Sequence, residues 1–210
     1  MTASRRVTFF HSPNSRSAAA LFLMEELDAD IELKPLNLRA GESRKPEYLA
    51  VNPMGKVPAI LHGGALVTEQ AAVFMYMADL YPERGLAPAI GDPLRGPYLR
   101  WMVYHGSCFE PALVDRAQNH APTPPSMCPY GDYDTMLNTL TGQLEKGPWL
   151  LGERFSAADV LWGSALNWTM MFKLVPDLPV LRAYVERVNA RPAAERARRK
   201  DAELAASMGQ

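Results

Sequence analysis

The sequence predicts a two-part chain, an α/β domain followed by an all-α one. Residues 1–84 alternate short strand-like runs with helical periodicity. From Asp92 onward only helical periodicity is found, and residues 85–91 between the two carry neither pattern. The chain has 210 residues, enough for two small domains. The expected boundaries are a domain over 1–84, a linker over 85–91 and a helical domain over 92–210.

In the first part, residues 7–10 form a β-type run that stops at Ser12-Pro13-Asn14. In the helix that follows, Ala20, Leu23, Met24 and Leu27 fall at the i, i+3, i+4, i+7 spacing of one buried face. Residues 31–36 read as a second strand and 45–50 as a short helix. Gly63-Gly64 turns residues 59–62 into 65–67 as a hairpin, because both glycines accept positive φ. Thr68 opens a helix whose Val73, Tyr76, Met77 and Leu80 form one stripe, and Tyr81-Pro82 closes it.

The second part begins with a long helix over 93–119. Four prolines in residues 121–129 make that stretch a loop, and helix resumes over 132–146. Ser156-Ala-Ala-Asp159 has the spacing of a capping box, with Asp in the usual Glu/Gln position. Residues 160–172 carry no charge on any side, so this helix belongs in the middle of its domain. Leu181, Tyr184, Val185 and Val188 mark an amphipathic helix with Pro179 near its first turn. Arg191-Pro192 opens a last, polar helix. The basic face of Arg191, Arg196, Arg198, Arg199 and Lys200 reads as solvated surface.

Composition limits the function classes. Hydrophobic residues make up 48%, charged residues 21%, and the net charge is -1, which gives no whole-protein field for nucleic acid or anionic lipid. Cys108 and Cys128 build neither a disulfide framework nor a zinc site, and the four histidines lack metal-ligand spacing. The N-terminus lacks a secretory core, and the longest charge-free apolar stretch is shorter than the ~18–20 residues of a membrane span. The expectation is a cytoplasmic protein with a small-molecule or protein partner, without metal, nucleic acid or membrane.

Three places carry candidate chemistry. Val57-Pro58 stands just before a strand, where proline offers no N–H. A cis bond there would leave the Val57 N–H and C=O exposed to pair with a peptide ligand; an ordinary trans turn is the plainer alternative. Glu69-Gln70 sits at a helix start, whose free N–H groups suit a carboxylate while Glu69 takes an amine. The plainer role for Glu69 is to complement its own helix dipole. Ser12, Asn14 and Ser15 fill the turn at the carboxyl end of the first strand, either as hydrogen-bond donors to a ligand anion or as helix caps. No serine sits in a nucleophile elbow, so a Ser-His-Asp triad is not supported.

Together these stretches resemble the glutathione S-transferase family. The resemblance rests on Phe9-Phe-His-Ser-Pro-Asn-Ser-Arg16, Asn52-Pro-Met-Gly-Lys-Val-Pro58, Thr68-Glu-Gln-Ala71 and Phe155-Ser-Ala-Ala-Asp159, and covers nearly the whole chain. It implies a thioredoxin-like N-terminal domain, an all-α C-terminal domain, glutathione as co-substrate, an apolar electrophile as second substrate, and a homodimer. By resemblance, the Val57 backbone pairs with the cysteinyl unit, Pro58 is the cis-proline, Glu69 and Gln70 hold the γ-glutamyl end, and Lys56 reaches the glycyl carboxylate. Gln70 stands where Ser or Thr is common. Ser156 and Asp159 match the family's structural capping motif. No Tyr ends the first strand and no Cys lies in its loop. By resemblance, with Arg16 aligned to the arginine that often opens the first helix of theta- and zeta-like members, Ser12 matches their serine position. A shifted alignment selects Asn14 or Ser15. Tyr104, His105 and Phe109 are the candidate wall of the hydrophobic site. The implied activity is thiolate attack on an electrophilic carbon. Peroxidase, disulfide reductase and isomerase activities, or non-catalytic binding of a hydrophobic ligand or a protein, are the alternatives.

Overall fold

The computed structural model describes residues 4–209, which form two compact units: residues 4–85 with 190–209, and Leu86–Asn189.

In the first unit, β1 (Val7–His11), β2 (Ile31–Pro35), β3 (Ala59–His62) and β4 (Ala65–Val67) form one sheet in the order β2-β1-β3-β4. β1 runs parallel to β2 and antiparallel to β3, and β4 pairs antiparallel to β3. This is a mixed, thioredoxin-like sheet. The parallel β1–β2 pair requires a crossover, which α1 (Ser17–Leu27) provides. α2 (Pro46–Leu49) is a single turn before β3, and α3 (Gln70–Leu80) follows the hairpin. The predicted stripe on α3 is rotated: Val73, Phe74, Met77 and Ala78 are buried, while Tyr76 is outside and pairs its hydroxyl with His62 Nδ1 at 2.6 Å.

The last helix, α9 (Pro192–Ser207), packs on α1 and so belongs to this unit, not to the helical one in which the sequence reading placed it. Ala193, Ala194, Ala197 and Ala205 are buried along it, and these small side chains let the helix lie close. Because α1 is covered on a second side, it buries Ala19, Leu21 and Phe22 beyond the four residues of its predicted stripe. The basic face is not simply solvated. Arg191 pairs with Glu26, and both Arg196 and Lys200 pair with Glu25.

The second unit is helical: α4 (Arg95–Tyr104), α5 (Glu110–Ala117), α6 (Tyr133–Leu144), α7 (Ala157–Met171) and α8 (Pro179–Asn189). The single long helix predicted over 93–119 is divided by a π-helical turn, His105–Phe109. Pro111 explains the break. It has no N–H to donate back along the helix and its ring crowds the preceding turn, so that turn widens. The stretch read as a linker is tied down: Leu86 accepts from the Ala157 N–H at 2.8 Å, and Arg154 reaches both Asp92 and the Ala87 carbonyl.

The capping box forms as predicted. The Ser156 N–H donates to Asp159 Oδ2 at 2.8 Å, and the reciprocal contact is present. Trp162 centres the core of this unit, with Trp101 and Phe109 against it and its Nε1–H donated to the Trp101 carbonyl. Gly163 marks where α7 meets α8, because a Cβ there would lie 2.5 Å from Val188 Cγ1. Gly163→Ala is therefore expected to destabilise by about 1–3 kcal/mol through overpacking. Gly142→Ala in α6 meets nothing within 4 Å and should instead gain up to about 1 kcal/mol from helix propensity. Urea unfolding midpoints for the two variants should move in opposite directions.

Candidate functional site

The site is built where β1, β3 and α3 come together. Along β1, Val7, Phe9 and His11 point to the buried side by strand alternation. Pro13 cannot continue the strand, and Asn14 takes a left-handed conformation at φ 53°, which Asn tolerates better than most residues. Serines then wind the turn into α1. The Ser15 hydroxyl donates to the Ser12 carbonyl at 2.7 Å and stands 2.8 Å from Ser17 Oγ. Ser17 Oγ accepts the Ser12 N–H at 3.0 Å and stands 2.8 Å from His11 Nδ1. Ser12 itself is fully buried, and its Oγ has no hydrogen-bond partner among the described residues. A buried hydroxyl without a partner normally costs stability, which marks it as a candidate for another role.

Thus the three turn candidates separate. Ser15 is committed to the turn itself. Asn14 is exposed, with its backbone N–H donated to Asp201 Oδ2 at 3.1 Å. Ser12 holds a donor that nothing else uses.

The β1–β3 register brings the proline loop to the same place. Phe10 pairs with Ala59, so continuing that antiparallel register sets Pro58 beside His11 and Val57 beside Ser12. The Val57-Pro58 bond is cis. The loop before it is firmly held, since the Lys56 carbonyl accepts from both the Tyr48 hydroxyl at 2.6 Å and Asn52 Nδ2 at 2.8 Å. Burial pushes the Tyr48 phenol above its ordinary pKa, so it stays a donor. Gly55 is required here: its φ is +62°, and a Cβ would stand 2.7 Å from the Ser43 carbonyl oxygen. The Lys56 side chain is exposed, and the Val57 N–H and C=O have no hydrogen-bond partner among the described residues.

The start of α3 completes the arrangement. Glu69 precedes the helix at φ 61°, ψ 120°, a conformation costly for a non-glycine residue and typical of ligand-holding positions. Its carboxylate is exposed. Gln70 Nε2 donates to the Arg16 carbonyl at 3.0 Å, which binds the helix start to the serine turn. The first N–H groups of α3 have no partner within the helix.

In the helical unit the three wall candidates all pack their rings around Trp162, and burial separates them. Tyr104 is half-buried and donates its hydroxyl to the Met136 carbonyl at 3.1 Å. His105 and Phe109 are buried with their rings against Trp162. Their side chains belong to the core of that unit, so they do not form an open wall.

Several site-shaping residues were not singled out from the sequence: Tyr48, Asn52, Gly55, Ser17 and Asp201. Asn52 and Gly55 lie inside the stretch that carries the family resemblance, which is the one signal that could have found them. Asp201 has no local signal, since it acts from a helix distant in sequence.

Against known proteins, the family model for the glutathione S-transferase N-terminal domain matches residues 5–79, and that for the C-terminal domain matches residues 132–192. Glutathione S-transferase GstA of Escherichia coli O157:H7 is 27% identical over 186 residues, covering 87% of this chain and 92% of that protein. Disulfide-bond oxidoreductase YfcG of Escherichia coli strain K12 is 27% identical over 202 residues, covering 89% and 92%. A solved glutathione transferase from Methylococcus capsulatus str. Bath superposes with a TM-score of 0.79 at 30% identity, covering 93% of this chain and 98% of that one. The fold and both family models define a class of protein with a thioredoxin-like first part and a helical second part. The chain belongs to the glutathione S-transferase family. Among the described residues, no helix is long and apolar enough to cross a membrane.

Proposed function

We propose that this protein is a glutathione transferase that activates the glutathione thiol for attack on an electrophilic carbon of an apolar compound. One observation carries the reading. An unpaired peptide backbone at Val57, a strained Glu69 at a helix start and an unpaired Ser12 hydroxyl lie at the same end of one sheet. Those three features suit the parts of a γ-glutamyl peptide thiol. Val57 pairs with the peptide backbone, and Lys56 takes the glycyl carboxylate. Glu69 takes the γ-glutamyl amine, with the α3 N-terminus and Gln70 on the carboxylate beside it. Pro58 shapes the approach.

A free thiol has a pKa near ~8.5, so only a few per cent is thiolate at neutral pH. Ser12 donates to the sulfur and favours the anion, and the N-terminus of α1 adds its positive dipole end. The bond formed is sulfur to carbon, and the leaving group departs with the bonding electron pair. The apolar substrate is taken by the helical unit, with Tyr104 as the retained wall residue. The protein is cytoplasmic and works as a homodimer in this reading.

Glutathione calorimetry tests the assignment. Glu69→Ala is expected to weaken binding about tenfold or more, the loss of a charge-assisted contact, with little change in melting temperature because the carboxylate is exposed. Unchanged affinity at unchanged stability would reject it. The likeness to a disulfide-bond oxidoreductase favours a second reading, glutathione-dependent disulfide reduction. Turnover of hydroxyethyl disulfide without turnover of an aryl halide would select it.

A further inference from the structure

The last helix reaches the serine turn through a carboxylate. Asp201 lies in the middle of α9, and its two oxygens have different partners. Oδ2 accepts the Asn14 backbone N–H at 3.1 Å. Oδ1 stands 3.0 Å from Nε2 of His11, whose side chain is fully buried, off the line of a hydrogen bond. From His11 the chain of contacts continues inward. Nδ1 is 2.8 Å from Ser17 Oγ, and Ser17 Oγ is bonded to the Ser12 N–H at 3.0 Å. Asp201 therefore touches the turn on both sides of Ser12 without touching Ser12 Oγ.

Proton placement makes the role specific. A carboxylate facing Nε2 favours the tautomer that carries its hydrogen there, because a nitrogen lone pair would repel it. Nδ1 is then an acceptor, which draws the Ser17 hydroxyl hydrogen toward the ring. The Ser17 oxygen is left to accept the Ser12 N–H, and the Ser15 hydroxyl is left to satisfy the Ser12 carbonyl. Asp201 thereby draws the Ser17 hydroxyl toward the ring and away from the Ser12 carbonyl, which stands 3.1 Å from it. The ion pairs of α9 explain how a helix so distant in sequence is held in place. Arg191 is taken by Glu26, and Arg196 and Lys200 are taken by Glu25, leaving the Asp201 carboxylate for the turn.

We propose that Asp201 is a positioning residue: through the His11 ring, Ser17 and the Asn14 amide it fixes the turn that aims the Ser12 hydroxyl at the thiol. The proposal rests on the glutathione reading above, and its test separates the two. Asp201→Asn keeps the shape and an acceptor for Asn14 but removes the charge facing His11. The thiolate ultraviolet absorbance of the glutathione complex is titrated against pH, alongside kcat and KM for conjugation. The expected result is a thiol pKa about one higher and a five- to tenfold lower kcat/KM near neutral pH, with glutathione KM within about twofold. Asp201→Glu should recover part of the loss. Nitrogen NMR of the His11 ring, read without glutathione, should show the tautomer population change in Asp201→Asn.

A purely structural contact would lower the melting temperature and leave the pH profile of the folded fraction and the His11 tautomer unchanged, and that result overturns the proposal alone. Absence of glutathione binding by the wild-type chain overturns the glutathione reading and with it this role. If Asp201→Asn does not fold, Ser17→Ala cuts the same chain nearer the site. An unshifted thiolate titration in that variant equally overturns the proposal.

Discussion

Replacing Asp159 by alanine is expected to cost about 3–5 kcal/mol of folding stability. The carboxylate is fully buried and gathers donors from three parts of the helical unit. Oδ1 accepts the Leu150 N–H at 2.8 Å and the Tyr184 hydroxyl at 2.9 Å, while Oδ2 accepts the Ser156 N–H at 2.8 Å. Alanine leaves two buried backbone N–H groups and a buried phenol unpaired and removes half of the cap of α7. Asp159→Asn is the informative companion. Burial pushes this carboxyl up to about 6 from 3.8, against the pull of its donors.

The folded state thus binds the proton more tightly than the unfolded chain. Between pH about 4 and about 6 the folded state carries more of it, and this group's contribution to stability falls as pH rises, by roughly 3 kcal/mol in full. Exposed carboxylates such as Asp132, held low first by the backbone N–H of Thr135, act in the opposite direction in both proteins. Subtracting the Asp159→Asn stability curve from that of the wild type cancels them. The difference should slope downward from pH 4 to 6 in urea unfolding. A flat difference would show that Asp159 stays ionised throughout.

Ser12→Ala is expected to separate activity from stability. The Ser12 hydroxyl is buried and unpaired among the described residues, so removing it deletes no hydrogen bond and relieves a desolvated polar group. The melting temperature should stay the same or rise. Activity should move the other way. One neutral donor to a charged acceptor is worth roughly 1.5–3 kcal/mol, or about one to two in the pKa of the thiol. The pH–rate profile for conjugation should shift upward by that amount, and the rate near neutral pH should fall about ten- to a hundredfold. Glutathione affinity should change much less, because Val57, Glu69 and Gln70 still hold the peptide. Such a gain in stability with a loss of function is the signature of a residue kept for chemistry. Asn14→Ala and Ser15→Ala run in parallel are the controls. Ser15→Ala is expected to loosen the turn without the same pH shift, since its hydroxyl is already given to Ser12. If only Asn14→Ala moves the profile, the donor lies two residues further along the turn.

Sequence by itself determined the elements whose causes are local. Hydrophobic periodicity placed α1 and α8, an uncharged run placed the body of α7, Gly63-Gly64 placed the hairpin, and Ser156 with Asp159 placed the start of α7, because each signal acts within a few residues of the structure it specifies. The family stretches supplied the candidate residues at the ends of β1, β3 and α3. What the tertiary structure decided was everything that depends on a distant neighbour. Which side of α3 is buried follows from its packing on α1 and β3, not from its own stripe. His105 and Phe109 turn into the core because Trp162, more than fifty residues later, packs against their rings. Of the basic face at α9, Arg191, Arg196 and Lys200 are paired by Glu26 and Glu25, which lie far away in sequence. The serine turn shows the division most sharply. Its three hydroxyl and amide candidates are equivalent as sequence, since all are small polar residues suited to a cap. Only hydrogen-bond saturation separates them, with Ser15 consumed by the turn and Ser12 left with a free donor, and that is a property of the packed chain.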